Sequence, residues 1–246
     1  MSLRRSLLLL PILALSLLPL AGQADDLTPA QTEQMNKLIH DYLMNNPKVL
    51  IEAIEHAEAS VKDEEQNQAT AALKAHREEL ERDPTSGVLG NPKGDVTIVE
   101  FFDYRCPYCK STVPTLQTLI GQDQKVRLVL KEFPILGKES VFASRVALAV
   151  KKHGKYAEFH DAMFALKTKV DDQQTLEVVK SLGLDPDQIK KEADGSDIDA
   201  VLKHNYDLAR ALNLSGTPAF VIGDTLLPGA VDLKDFQTAV ATVRKG

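Results

Sequence analysis

The sequence predicts an α/β domain preceded by a separate α-helical segment, and three observations predict it. A β-branched and aromatic run, Val96 to Phe102, leads to the tetrapeptide Cys106-Pro107-Tyr108-Cys109, a helical stretch and a second strand pattern, which together make a β-α-β unit. From Lys138 to Leu214 apolar residues recur at helical spacing almost throughout, before short strand patterns return. Ahead of both, apolar residues stand three and four apart from Met35 to Ile54, and a charged stretch separates them from the first strand. With 246 residues, 43% hydrophobic and 26% charged, and only 13 Gly and 12 Pro, the chain is neither collagen-like nor low in complexity and can bury a core.

Residues 1–24 read as an export leader. Arg4 and Arg5 precede the apolar stretch Leu7 to Leu20, and Gly22 and Ala24 place small residues where a signal peptidase reads, so cleavage is expected after Ala24. Pro11, Pro19 and that cleavage-like end argue against a retained anchor, so stable membrane insertion is not expected. The chain carries 29 basic and 35 acidic side chains, and losing Arg4 and Arg5 moves the net charge from −6 to −8. That balance disfavours nucleic acid or an anionic leaflet as the main partner.

Thr28 caps a first helix with Pro29 at its first position, and Met35, Leu38, Ile39, Tyr42 and Leu43 fall on one face. Asn46-Pro47 starts a second helix carrying Val49, Leu50, Ile51, Ile54 and Val61. These residues, 25–61, form the N-terminal helical segment. From residue 62 to 88 the chain is rich in Ala, Glu, Lys and Gln, with Leu73 and Leu80 its only large apolar residues up to Arg82, and it reads as a solvated helical spacer ending at Asp83-Pro84-Thr85-Ser86-Gly87. The domain then runs from 89 to 246. Its elements are the strand Val96 to Phe102, a helix from Pro107 kinked at Pro114, a strand from Lys125 to Phe133, a helical insertion over about 138–214, a hairpin about Gly223-Asp224 and a last helix from Asp232 to about Arg244.

The cysteine arithmetic carries the chemistry. Both cysteines of the chain, Cys106 and Cys109, lie in one tetrapeptide, so no pair remains to staple the fold. A two-residue spacing closes too short a loop to stabilise much and tends to be strained. A closed zinc site wants four ligands, and no histidine lies near in sequence, so no metal site is assigned. Redox exchange is the remaining reading, with the dithiol itself as the redox group and no separate cofactor. At the first turn of a helix, Cys106 would meet unpaired backbone N–H groups and the positive dipole end, which favours the attacking thiolate. Cys109, one turn further in, would be shielded and would resolve the mixed disulfide.

The segments Phe101-Phe102-Asp103-Tyr104-Arg105-Cys106-Pro107-Tyr108-Cys109-Lys110 and Ser215-Gly216-Thr217-Pro218-Ala219-Phe220 together resemble the DsbA-like thiol–disulfide oxidoreductases of the thioredoxin superfamily. Over the N-terminal helices, with the Asn45-Asn46-Pro47 junction, the chain resembles the ScsC (suppressor of copper sensitivity) proteins. The resemblance implies a thioredoxin-like fold with a helical insertion, a periplasmic location, a cis Thr217–Pro218 bond that presents Thr217 to an extended client, and an oligomerising N-terminal segment, a trimer being favoured. Pro107 would preorganise the turn. Tyr108 stands where strongly oxidising relatives carry a histidine, which implies a milder oxidant. Glu100, six residues before Cys106, matches an acidic residue held to assist proton movement, with Lys131 on the next strand as its partner; the alternative is a solvent-facing Glu100 on an edge strand.

Three functions follow as expectations. The first is a disulfide isomerase or reductase acting on misfolded or oxidised exported proteins, its Met35, Leu38, Ile39, Tyr42 and Leu43 stripe buried against copies of itself and its dithiol kept reduced by a DsbD-like or ScsB-like membrane electron donor. The second is a DsbA-like dithiol oxidase. The third is a copper-binding or holdase protein in which the two sulfurs take Cu(I).

Overall fold

The computed structural model describes residues 27–245. The expected leader, residues 1–24, lies outside them. The chain divides into two compact units at Ala59–Ser60.

The N-terminal unit is helical. Helix α1 (Pro29–Asn45) opens with a capping box, in which the Thr28 hydroxyl accepts from the Gln31 N–H and the Gln31 side chain accepts from the Thr28 N–H at 2.9 Å. Pro29 at the first helical position loses no hydrogen bond there. Asn46 ends the helix, its N–H returning to the Leu43 carbonyl, and Pro47 starts helix α2 (Pro47–Ala75). No residue of α1 is buried.

The second unit is built on a five-stranded sheet of order β1-β3-β2-β4-β5. Its strands are β1 (Gly87–Gly90), β2 (Val96–Phe102), β3 (Val126–Glu132), β4 (Ala219–Ile222) and β5 (Thr225–Pro228). Only β2 and β3 run parallel, joined by α4 (Pro107–Gln122), and the remaining pairs are antiparallel. Strand β2 is apolar at five of its seven positions and buried at six, as a central strand covered on both faces requires. On one face Val96, Ile98, Phe102, Leu128 and Leu130 pack with α4, with most of the insertion helices and with Phe236 and Val240 of the last helix. On the other, Val99, Phe101, Val129 and Phe133 pack with Leu208 and Leu212.

The insertion is five helices: α5 (Lys138–Lys152), α6 (Tyr156–Ala165), α7 (Asp172–Ser181), α8 (Pro186–Ala193) and α9 (Ser196–Ala211). Aspartate caps open α7 and α8, Asp171 accepting from the Gln174 N–H and Asp185 from the Asp187 N–H. After the β4–β5 hairpin, turned at Gly223 with its positive φ of 59°, α10 (Leu233–Lys245) closes the chain. The expected helix through Pro114 is present as one element, α4.

Two expectations are corrected. The stretch 62–88 is not a solvated spacer throughout. Leu73 near the end of α2 and Leu80 in the short helix α3 (Arg77–Glu81) are buried against Val99, Phe101 and Val129. Two large apolar residues suffice because they fall on one face over an already apolar sheet, whereas composition averages them away among charges. The domain also begins before residue 89, since Gly87 and Val88 pair with Leu130 and Val129. Gly87 is required by packing: a Cβ there would lie 1.9 Å from the Tyr156 ring.

If these residues hold the domain together, Leu80→Ala should lower unfolding free energy by about 2–4 kcal/mol in urea titration, the range for truncating a core leucine. A solvated spacer would leave the midpoint within experimental error.

Candidate active site

Strand β2 ends at Phe102 on the C-terminal edge of the parallel pair, and the chain turns through Asp103-Tyr104-Arg105 into α4. Asp103 makes that turn. Its carboxylate accepts from the Arg105 N–H at 2.8 Å, its carbonyl accepts from the Cys106 N–H at 3.0 Å, and its second carboxylate oxygen accepts from Ile135 and Leu136 N–H at 2.8 and 2.9 Å. Arg105 adds bonds to the Leu136 carbonyl and the Glu139 carboxylate, at 2.9 and 2.7 Å. The loop before Cys106 is thus tied to the loop after β3.

Cys106 is the N-cap of α4, with Pro107 in the first turn. Its sulfur lies 3.5 Å from the Cys109 N–H, one of the donors that a helix start leaves without a carbonyl, and 3.2 Å from the Thr217 carbonyl, to which the thiol donates. The Thr217–Pro218 bond is cis. Cys109 is fully buried behind Cys106, and both are free thiols. Burial, with the nearby Glu100 carboxyl adding to it, pushes the Cys109 thiol far above its ordinary range. Tyr108 points out, 65% exposed.

Glu100 is buried on a central strand, not solvent-facing on an edge. It occupies the β2 face of Val96, Ile98 and Phe102, and burial pushes its carboxyl up to about 8. The expected partner is elsewhere. Lys131 sits opposite Phe101 in the parallel register, one residue out of step with Glu100, so its side chain emerges on the other face of the sheet. There its ammonium donates to the Glu79 carbonyl at 2.7 Å and to Asp83 at 2.8 Å. Burial acts to raise the Asp83 carboxyl, but the hydrogen bonds from Lys131 and Thr85 outweigh it and hold it down to about 2. Lys131 is therefore removed from the active-site set and is a buried strut under α3.

The structure thus gathers Cys106, Pro107, Tyr108, Cys109, Glu100, Thr217 and Pro218, and leaves Lys131 out. Met35, Leu38, Ile39, Tyr42 and Leu43 lie on α1 in the other unit. Sequence reasoning missed Asp103, although an Asp three residues before a helix-capping cysteine is a turn signal. It also missed Glu132, which accepts from the hydroxyls of Tyr156 at 2.7 Å, Ser144 at 2.6 Å and Tyr104 at 3.3 Å, and which burial raises to about 8 in spite of them. The hydroxyls arrive from residues 12 to 28 positions away, which no local pattern displays. His160, buried among Phe102, Tyr104 and Phe164, is pushed down to about 3 by burial and stays neutral. Among the described residues no group of three or more His, Cys, Asp or Glu is placed to hold a metal ion.

This geometry suits exchange between a dithiol and a disulfide. The Cys106 thiolate attacks one sulfur of a disulfide and the other leaves as a thiolate; Cys109, giving up its proton, then displaces the first sulfur from Cys106. Run in reverse, the same steps oxidise a client.

Residues 97–241 match the DSBA-like thioredoxin domain family. The chain belongs to that family. As a DsbA-like protein it also carries, over residues 31–69, a match to the copper resistance protein ScsC N-terminal domain. A thioredoxin-like oxidoreductase from Silicibacter pomeroyi DSS-3 superposes with a TM-score of 0.68 at 43% identity, covering 69% of this chain and 98% of that one. The Proteus mirabilis ScsC structure in a transitional conformation gives 0.65 at 33% identity and covers 89% of this chain and 98% of that one. The probable disulfide bond formation protein D of Bacillus cereus is 27% identical over 155 residues, 58% of this chain and 72% of that protein. Two Salinispora Na(+)/H(+) antiporters also match this DsbA-like chain, at 26% and 25% identity, but it spans only 24% and 25% of their length. The α/β thioredoxin-like fold is therefore shown, and the domain is that of a thiol–disulfide oxidoreductase.

The raised carboxyls set a pH dependence. Glu100 and Glu132 hold protons in the folded chain from about 4.5, their ordinary value, up to about 8. Over that window the folded state binds more protons than the unfolded one, so stability is full below it and falls as pH rises through it. Glu100→Gln should remove roughly half of that decline in denaturant titrations between about pH 5 and pH 8. An unchanged slope would show that Glu100 ionises normally.

Proposed function

We propose that this protein performs thiol–disulfide exchange on exported proteins in the periplasm, chiefly as an isomerase or reductase of misfolded or wrongly oxidised clients, with several catalytic domains gathered through the N-terminal helices. The observation that carries this reading is the exposed apolar stripe of α1. Met35, Leu38, Ile39 and Tyr42 are 45%, 71%, 48% and 55% exposed, in a segment similar to the ScsC N-terminal domain. Leu43 beside them is half-buried, and Leu50, Ile51 and Ile54 of α2 are exposed as well. Such a surface is covered most simply by the same surface of another copy, and a trimer is favoured by the resemblance to ScsC.

Several reactive sulfurs around one client suit isomerisation, which starts from reduced Cys106. Cys109 resolves or, when the client's own thiol does so first, stands by. Glu100, once ionised, takes up the Cys109 proton, Pro107 and Tyr108 set the turn and its charge, and Thr217 with Pro218 holds the client backbone beside Cys106. Turnover as a reductase needs electrons from outside, and a DsbD-like or ScsB-like membrane donor fits that need.

A second reading, a dithiol oxidase, is favoured by the similarity to the probable disulfide bond formation protein D of Bacillus cereus. A third, Cu(I) binding by the two sulfurs, draws on the copper-resistance description of the N-terminal family. Reduction potential separates the first two: a value near about −180 mV or below is expected, against about −120 mV for a strong oxidase.

Light scattering on the mature chain should give a multiple of the monomer mass. Removal of residues 25–60 should yield a monomer that still reduces a small disulfide but no longer refolds a scrambled disulfide substrate. A monomeric full-length chain would remove the isomerase reading. Cys106→Ser should abolish exchange altogether, and retained exchange would place the chemistry at another residue.

A further inference from the structure

We propose that the groove beside Cys106 reads a carboxylate, so that clients with an acidic side chain next to the attacked cysteine are preferred. This selectivity rests on the exchange chemistry proposed above. The groove encloses about 220 Å³ and its charged lining is cationic: Arg105, Lys110 and Lys169 border it together with Cys106, Met163 and Val170, and among the described residues no carboxylate does. In a chain of net charge −6, that is a local reversal of sign.

The three cations are not equivalent. Arg105 is committed to Glu139 at 2.7 Å. The Lys110 ammonium, one turn into α4 from Cys106, donates to the Leu166 carbonyl, which fixes its position without neutralising it. Lys169 stands exposed on the connection from α6 to α7, with exposed Lys167 two residues before it. Among the described residues none of these three lysines forms an ion pair. The acids around the groove are mostly occupied: Glu139 by Arg105, Asp103 by the N–H groups of Arg105, Ile135 and Leu136, and Asp171 by the Gln174 N–H. Asp172 lies beyond the cap, in the first turn of α7. The N-terminal end of α4 adds positive potential at the same place. The occupant follows from the chemistry: once a client sulfur is bonded to Cys106, the residues flanking it are carried into this groove, and a carboxylate there meets Lys110 and Lys169.

Two lysines a few ångströms from a carboxylate in a solvated groove should change rates by about three- to tenfold, an effect that salt weakens. The test uses cysteine peptides carried as S-pyridyl disulfides and identical except for Glu, Gln or Lys beside the cysteine. The Cys106 thiolate forms a bond to the peptide sulfur, the S–S bond breaks, and pyridine-2-thione departs with the electron pair. Cys109 then releases its proton and displaces the peptide thiol, leaving the Cys106–Cys109 disulfide.

With wild-type protein the Glu peptide should react about three- to tenfold faster than the Gln peptide and the Lys peptide slower than both, the spread collapsing near 0.5 M salt. In Lys110→Gln/Lys169→Gln the three rates should converge on that of the Gln peptide. Equal rates for Glu and Gln peptides in the wild type, or a preference that persists in the double variant, would overturn the proposal. The uncharged 2-hydroxyethyl disulfide keeps the two levels apart: if it and all peptides fail to react with wild type, the exchange chemistry itself is wrong.

Discussion

The parallel register of β2 on β3 is the constraint from which the active site follows. It aligns Glu100 with Leu130 and Phe101 with Lys131, and because strand side chains alternate, it sends the carboxyl and the ammonium to opposite faces. On one face Glu100 comes to lie near Cys109, and on the other Lys131 anchors Asp83 beneath α3. A one-residue slip of β3 would turn Lys131 to the face of Glu100 and put a cation behind the dithiol. The same pairing ends both strands together, at Phe102 and Glu132, and this brings the Asp103 turn next to the Ile135-Leu136 loop that its carboxylate holds.

Two carboxyls in that core are costly. At neutral pH the folded chain keeps protons on Glu100 and Glu132 that the unfolded chain would release, a penalty on the order of 3 kcal/mol each by linkage. An apolar residue of similar size would carry none of it. Glu132 is recompensed in part by three hydroxyl donors, and it binds Tyr104 and Tyr156 into the wall behind the cysteine turn. Burial alone raises Glu100, and what the group offers its neighbour is a carboxyl that exchanges its proton near pH 8, its ionised form an acceptor close to a thiol that burial keeps protonated.

The sequence displayed what is local. Val96 to Phe102, the proline after Cys106, and the Gly223-Asp224 turn each announce their elements within a few residues, and the structure places β2, α4 and the β4–β5 hairpin there. What it concealed is register and distance. Glu100 and Lys131 looked like partners because strand neighbours were known but their alignment was not. Strand β1 escaped because four residues with a glycine at each end carry no strand pattern, and its pairing to β3 reaches across about forty positions. Leu73 and Leu80 were diluted by charge, although a helix needs only a narrow apolar face to dock on a sheet. Glu132 needed Tyr104, Tyr156 and Ser144 from three separate elements.

The two units also differ in what stabilises them. Both core clusters are assembled from Ala72 onward, so the catalytic fold has its own closed interior. Helix α1 has 17 residues, a capping box and an N-terminal proline, yet buries no side chain. Caps contribute about 1 kcal/mol, whereas in proteins most helical stability comes from packing an apolar face. A cover over the Met35 to Tyr42 stripe would supply the packing that α1 lacks. If a second copy supplies that cover, as proposed, folding of the segment and association become one equilibrium, and the number of dithiols meeting a client depends on protein concentration while the chemistry at each Cys106 does not.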